Sequence, residues 1–395
     1  MKYCVIIPEG IPDHPHPSLR DRTPLEAAHA THMDTLALEG RLGTVRNIPE
    51  GMPAASEIAM LSILGYNPRK YPVGRGMLEA LGMGLPLQPG MTYLCCNLVT
   101  LADNVMADHS AGYISDKEAA VLLQLLNQQV APPGCRFIAQ ASYRCIMSCP
   151  ADMATGLRLI PPQDILGKCI SNQVAQGRGA TVVRGILERS REVLANHDIN
   201  KVRADLGENP ANAIWLWGAG PLPELPAFGE RHGKRGTIIS RAAYVHGLAR
   251  RIGWEPQGRW GAPEKEDTDY SAVAQEVLRC LQMYDLVVVH LEAADEASHQ
   301  GDPTFKRDVI AAIDRLVVAP ILNAFCNRYR GRVLLVPGHF TTVEDRTHTD
   351  EPVPFALFGD ASRPARALPF RERVAHEADL QITDGHDLMQ YFLRE

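Results

Sequence analysis

The chain has 395 residues, 45% of them hydrophobic and 22% charged, with a formal net charge of -6. That length exceeds one small core and suits two domains, or one large domain carrying an insertion. The acidic balance and the lack of a Lys/Arg run exclude a phosphate-tracking nucleic-acid scaffold. Read along the sequence, no stretch approaches the ~20 apolar residues of a membrane span. Met1-Lys2-Tyr3 leads straight into a strand without an apolar leader, so a cytoplasmic location is expected. The nine cysteines match no zinc-finger spacing and read as small core residues in a reducing compartment.

Tyr3-Cys4-Val5-Ile6-Ile7 reads as a buried first strand, followed by the loop Pro8-Glu9-Gly10-Ile11-Pro12-Asp13. In open α/β sheets chemistry collects in such loops at the carboxyl ends of strands, which singles out Glu9 and Asp13. Thr23-Pro24-Leu25-Glu26 carries the signature of a helix start, and the next helix, with Met33, Leu36 and Leu38, stops at Gly40. In Met52 through Gly65, small residues lead to Ser56 and then to an apolar helix. Ser56 stands where a capping serine belongs. The same geometry also places a hydroxyl at the positive end of a helix, a seat for a phosphoryl group.

From about Leu85 the pattern changes to proline-rich turns separating short strands and helices, as for an inserted α+β unit. The boundaries expected are 1–85 with 206–395 for the main body and 86–205 for the insertion. Asp108-His109-Ser110 lies in a polar loop of the insertion, and Arg144 lies in a strand. Ala213 through Trp217 reads as a buried strand returning to the main sheet; the Gly-x-Gly after it lacks the rest of a dinucleotide fingerprint. Lys234 and Arg235 precede the strand-like Thr237-Ile238-Ile239-Ser240.

An amphipathic helix from Ser271 to Tyr284 delivers the chain to Leu286-Val287-Val288-Val289, a short apolar run read as a buried strand. Asp295 and His299 follow, four residues apart, so one helical turn puts carboxylate and imidazole on one face. Oxygen and nitrogen ligands of that kind suit a divalent metal. Another buried strand, Val333 to Val336, ends in Pro337-Gly338-His339, and His348 lies in the segment before Phe355-Ala356-Leu357-Phe358. Strands alternating with helices at both ends of the chain predict a mostly parallel sheet covered on both faces.

Three separated motifs carry a resemblance over nearly the whole chain. They are Pro53-Ala54-Ala55-Ser56-Glu57 with Leu61 through Pro68, Asp295-Glu296-Ala297-Ser298-His299, and His348 through Pro354. Together they resemble the cofactor-independent, archaeal-type phosphoglycerate mutases of the alkaline phosphatase superfamily. Trp215-Leu216-Trp217-Gly218, Asn97 through Thr100 and Ser110-Ala111-Gly112 are similar to a bacterial branch proposed to act as homoserine kinase.

The resemblance implies an alkaline-phosphatase-like α/β core with an inserted α+β cap that closes over the substrate. It also implies two divalent metals, Mn²⁺ or Zn²⁺, and a phosphoserine at Ser56. Asp295, His299 and His348 would hold one metal; Glu9, Ser56 and His339 are what remains for the second. Glu9 stands where the family has Asp, and Gly338 stands where it has the Asp of an Asp-His pair. Water, Asp13, Glu344 or Asp345 is expected to fill the gap, and Gly338→Asp to tighten the site. Asp108-His109-Ser110 replaces an Asp-Arg-Arg run, so Asp108, His109, Arg144, Arg75, Lys234 and Arg235 are the expected substrate-binding groups.

Three functions follow: a phosphoglycerate-mutase-like phosphotransferase, a kinase-like phosphotransferase on a small hydroxy amino acid, and a degenerate metal or small-molecule binding protein. The expected partner is a small phosphorylated metabolite, with no nucleic acid and no membrane. Whether copies associate into a homo-oligomer is left open.

Overall fold

The computed structural model describes residues 1–261, 268–360, 362 and 366–394. The chain divides into two compact units, Met1–Tyr71 with Glu224–Glu395, and Pro72–Pro223.

The first unit is built on a seven-stranded sheet in the order Leu380–Ile382, Arg41–Val45, Val353–Gly359, Gly331–Leu335, Lys2–Pro8, Leu286–Leu291 and Gly236–Ile239. Val353–Gly359 runs antiparallel to both neighbours, and every other pairing is parallel. The central strands are continuous apolar runs because helices cover both faces. Cys4, Ile6, Val287, Val289, Val333 and Leu335 share a core with helices Thr31–Leu38, Tyr270–Met283 and Pro303–Ile313. On the opposite face Tyr3 meets Phe392 of helix Asp387–Leu393 edge-on, ring centroids 5.5 Å apart.

One helical stretch departs from the sequence expectation. Pro303–Ile313, a π-helical turn at Asp314–Val318, and Ala319–Asn327 form a continuous helix of 25 residues, long and apolar enough to cross a membrane by length and composition. Its apolarity has a local cause: Val309, Ile310, Ile313, Val317, Val318 and Ile321 are all packed into the core of this unit. The charges at Asp314 and Arg315 interrupt the run and hide its length in the sequence. Asp314 is itself buried, and its carboxylate accepts from the backbone N–H groups of His32 (3.2 Å) and Met33 (2.7 Å). It thereby satisfies the start of helix Thr31–Leu38, which has no cap of its own.

The second unit is an antiparallel sheet. Its longest strand, Met91–Ala102, pairs with Val105–Asp108, Arg144–Pro150 and Ala213–Trp217, and Arg136–Ala141 extends it beyond Arg144–Pro150. Helices Asp116–Gln129 and Ala180–Leu194 bury one face with Leu94, Cys96 and Leu98. Ala213–Trp217 therefore does not return to the main sheet: it pairs with Met91–Ala102, Leu216 opposite Cys96. A short apolar strand reads the same whichever sheet receives it, and only the pairing decides. This pairing, with that of helix Arg75–Gly82 against the same strand, moves the division between units to 71/72 and 223/224.

Candidate active site

The carboxyl ends of three adjacent parallel strands, Lys2–Pro8, Leu286–Leu291 and Gly331–Leu335, deliver Glu9, Asp295 and His339 to one place. Gly10 makes the close approach possible. It has φ +69°, and a β-carbon there would lie 2.8 Å from both Asp295 and the Thr341 hydroxyl. Helix Ala293–Gln300 starts straight after its strand and carries Asp295 and His299 on one face, with Nε2 to Oδ2 at 3.3 Å. The hairpin of Phe340–Thr342 with Thr347–Thr349 adds His348, whose register partner is Thr341. His348 Nε2 lies 3.2 Å from Asp295 Oδ1 and 3.1 Å from His299 Nε2.

The hydrogen bonds behind the two imidazoles determine which ring nitrogen faces inward. His299 Nδ1 is 2.9 Å from the Arg346 carbonyl, and His348 Nδ1 is 3.2 Å from the Ala54 carbonyl. A carbonyl only accepts, so both Nδ1 atoms carry hydrogen and both Nε2 atoms face the Asp295 carboxylate. Arg346 is held at φ 56°, in the left-handed region, at the turn that aims this carbonyl. Two imidazole nitrogens and a carboxylate, with ligand atoms within 4.8 Å of one another, call for a positive charge between them. The Asp295 carboxyl is pushed up by burial but held well below the usual range by His299 and His348. For His299, burial lowers the imidazole and Asp295 more than offsets it, raising it to about 9. The donor set of one carboxylate oxygen and two imidazole nitrogens fits a divalent transition metal, and the neutral tautomers required are the ones the carbonyls hold.

Beside this triad stands a second group. His339 lies 3.9 Å from His348 between ring centroids. Its Nε2 is 3.1 Å from Ser56 Oγ and 3.2 Å from Glu9 Oε1. Ser56 is the first residue of helix Ser56–Ile63, whose N-cap is Ala55, so its hydroxyl is not a cap and points instead to His339. Glu9 Oε2 accepts from the Gly338 N–H at 2.8 Å, while Oε1 is buried and accepts no hydrogen bond. Burial pushes the Glu9 carboxyl up, yet the adjacent His339 brings it below its ordinary value. A buried carboxylate oxygen without a donor, facing an imidazole and a hydroxyl, also fits a cation. The gap expected at Gly338 is filled by neither Asp13, Glu344 nor Asp345. Glu9 itself reaches it, because its extra methylene carries the carboxylate to the Gly338 backbone.

Thr341, which sequence reading missed, joins the two groups. It is fully buried, donates to Asp295 Oδ1 at 2.6 Å, and is 3.0 Å from His339 Nδ1. With its proton on Asp295, the Thr341 oxygen accepts the His339 Nδ1–H, leaving the Nε2 lone pair to accept from Ser56 or to share a cation with Glu9. Lys306 is also fully buried; its Nζ donates to the Thr341 carbonyl at 2.7 Å and to Asp13 Oδ2 at 2.8 Å. Asp13, tied also to Val343 N, thus braces the loop and supplies no ligand. Its spacing from Val309 and Ile310 placed Lys306 on the buried helix face, a signal available in the sequence.

The expected substrate groups separate. Lys234 and Arg235 precede Gly236–Ile239, at the amino ends of the parallel strands, whereas the site lies at the carboxyl ends. Lys234 Nζ lies over the Tyr3 ring, and Arg235 donates to the Met283 carbonyl at 2.8 Å. They brace the amino end of the sheet, opposite the end that carries the site, and so do not serve as the expected substrate groups. In the second unit Asp108 is occupied in its own loop: it accepts from Ser110 N, Ser110 Oγ, Gly112 N and Asn209 Nδ2, each at 2.7 Å. His109 is buried with its ring edge-on to Tyr143. Arg75 pairs with Glu79 at 2.8 Å and lies over Trp217. Trp217 donates to Asn97, whose register partner is Arg144.

Known proteins resemble the chain over its whole length. Residues 37–200 match a model described as 2,3-bisphosphoglycerate-independent phosphoglycerate mutase. The chain is 39% identical to the 2,3-bisphosphoglycerate-independent phosphoglycerate mutase of Methanothrix thermoacetophila over the full length of both. A solved protein from Pyrococcus horikoshii superposes with a TM-score of 0.75 at 26% identity, covering 99% of this chain and 96% of its own. The cofactor-independent phosphoglycerate mutase of Thermoplasma acidophilum shares the fold, with a TM-score of 0.58 at 24% identity over 100% of this chain and 99% of its own. The chain belongs to the 2,3-bisphosphoglycerate-independent phosphoglycerate mutase family.

Proposed function

We propose that this protein is a metal-dependent phosphomutase that moves the phosphoryl group of a phosphoglycerate through Ser56. The observation that carries the proposal is the placement of the Ser56 hydroxyl 3.1 Å from His339 Nε2, beside the Glu9 carboxylate and the Asp295, His299 and His348 ligand group. Asp295, His299 and His348 would hold one divalent ion, Mn²⁺ or Zn²⁺, and Glu9, His339 and Ser56 a second. Such ions, when bound, stabilise charge on phosphoryl oxygens and favour the ionised hydroxyl. Ser56 Oγ, at the positive end of its helix, is the attacking atom: its bond to phosphorus forms as the substrate O–P bond breaks, and the freed substrate oxygen takes up a proton. The phosphoryl group then passes to the other hydroxyl of the same acid, whose proton returns to Ser56 Oγ. Thr341 holds His339 in the tautomer that leaves the Nε2 lone pair, beside the Ser56 hydroxyl, available as a ligand. Within the second unit, Arg75 lies over Trp217, and Trp217 donates to Asn97, the register partner of Arg144; these two guanidinium groups are our candidates for anion recognition by that unit.

This reading places the protein in the cytoplasm, acting on a small phosphorylated metabolite. The hydroxy-amino-acid kinase alternative draws no support from relatives that carry the mutase name. The test is Ser56→Ala. Phosphoryl transfer from a phosphoglycerate and trapping of labelled phosphate on the chain are both expected to vanish, with the melting temperature unchanged. An Ala variant with full transfer activity overturns the covalent route.

A further inference from the structure

The second group of ligands contains a steric exchange between positions 329 residues apart. A β-carbon added to Gly338 would lie 2.3 Å from Glu9 Oε2, 2.4 Å from Oε1 and 2.6 Å from Cδ. The Glu9 carboxylate therefore occupies the volume in which any side chain at 338 would begin. Glycine is not required there by its backbone, because Gly338 is absent from the positive-φ residues. What requires it is space.

The backbone at 338 is the partner held in place. Asn47 Nδ2 donates to the carbonyls of Pro337 (2.9 Å) and Gly338 (3.1 Å), and the Gly338 N–H donates to Glu9. Asn47 and Glu9 are both buried, and the atoms a side chain at 338 would meet are the far end of Glu9, so the carboxylate is the group that must move. The Glu9 oxygen nearer His339 is the one that accepts no hydrogen bond, so the pinned orientation aims an unsatisfied anionic atom at His339 and Ser56.

We propose that Glu9 and Gly338 are one interlocked unit that furnishes the second cation site, with Gly338 as the position that determines whether the site forms. The inference rests on the metal-dependent reading above and adds to it an obligatory coupling. The two positions can be exchanged only together. Gly338→Ala or Gly338→Asp expels the carboxylate of Glu9, whereas Glu9→Asp withdraws it by one methylene and leaves room for a side chain at 338. An aspartate restored at 338 alone thus breaks the site that it was expected to tighten.

The experiment is Mn²⁺ titration of the full chain by calorimetry, with metal analysis after dialysis and melting curves in chelator to verify folding. Wild type is expected to bind two ions. Glu9→Gln and Gly338→Ala should each weaken the second site by at least about tenfold, the usual scale of lost metal-site groups, and leave the first unchanged. Glu9→Asp/Gly338→Asp should return second-site affinity to within about threefold of wild type. A Gly338→Ala chain with two unchanged sites overturns the interlock, and so does a wild type that binds one ion with Glu9→Gln indistinguishable from it. If Gly338→Ala does not fold, Glu9→Gln and the double variant decide the matter. Failure of the phosphotransfer reading registers separately, as full activity in Ser56→Ala.

Discussion

Replacing Thr341 by Val removes one hydroxyl and keeps nearly the same shape at a fully buried position. That hydroxyl donates to the Asp295 carboxylate at 2.6 Å and faces His339 Nδ1 at 3.0 Å. A hydrogen bond to a charged group contributes roughly 1.5–3 kcal/mol, and a buried N–H left without an acceptor costs about 1–3 kcal/mol. Part of this loss appears in folding stability and part in metal binding. Loss of such a supporting partner lowers metal affinity or activity by about 10–100-fold, or roughly 1.4–2.8 kcal/mol at 1.4 kcal/mol per tenfold. We therefore expect Thr341→Val to weaken Mn²⁺ binding about 10–100-fold and to depress phosphoryl transfer in parallel. Thr341→Ser, which keeps the hydroxyl, should stay within about threefold of wild type on both. Calorimetric metal titration checks the affinity, and a coupled phosphoglycerate assay checks the rate. A Val variant indistinguishable from wild type in both measurements refutes the claim that Thr341 joins the two ligand groups.

Lys306→Met leaves Asp13 buried without its cation, and should lower stability by about 3–5 kcal/mol; adding Asp13→Asn should recover part of it. Chemical denaturation decides, and a single-variant loss below about 1 kcal/mol shows that the pair does not brace the loop. Burial pushes the Glu372 carboxyl from its ordinary 4.5 up to about 7, against the favourable contacts of Thr23 and Asp13. The folded state therefore keeps a proton that the unfolded chain releases, so this contribution to stability is full below pH 4.5 and is lost as pH rises through about 7. The loss is at most about 3 kcal/mol. Glu372→Gln should flatten the decline in stability between pH 5 and 8; parallel urea-melt profiles for variant and wild type count against it.

Part of the site was legible because its signals are local. Asp295 and His299 share a helix face by spacing alone, and the apolar runs before Glu9, His290 and Pro337 mark strands whose carboxyl ends collect function. Ser56 at the head of an apolar helix was visible, although only the structure shows that Ala55 takes the cap position and frees the hydroxyl for His339. Lys234 and Arg235 misled because charge near a strand carries no record of which end of the sheet it occupies. Ala213–Trp217 misled because apolar strands do not name their partners.

The sequence by itself determined the strands, the helices and the ligand types, since period, capping and side-chain chemistry act over a few residues. Tertiary structure alone decided that Glu9 lies against Gly338, that Thr341 lies between Asp295 and His339, and that Lys306 meets Asp13. Each depends on how much volume remains between segments 46 to 329 positions apart. That volume is set by close packing of the whole unit, which no local pattern encodes.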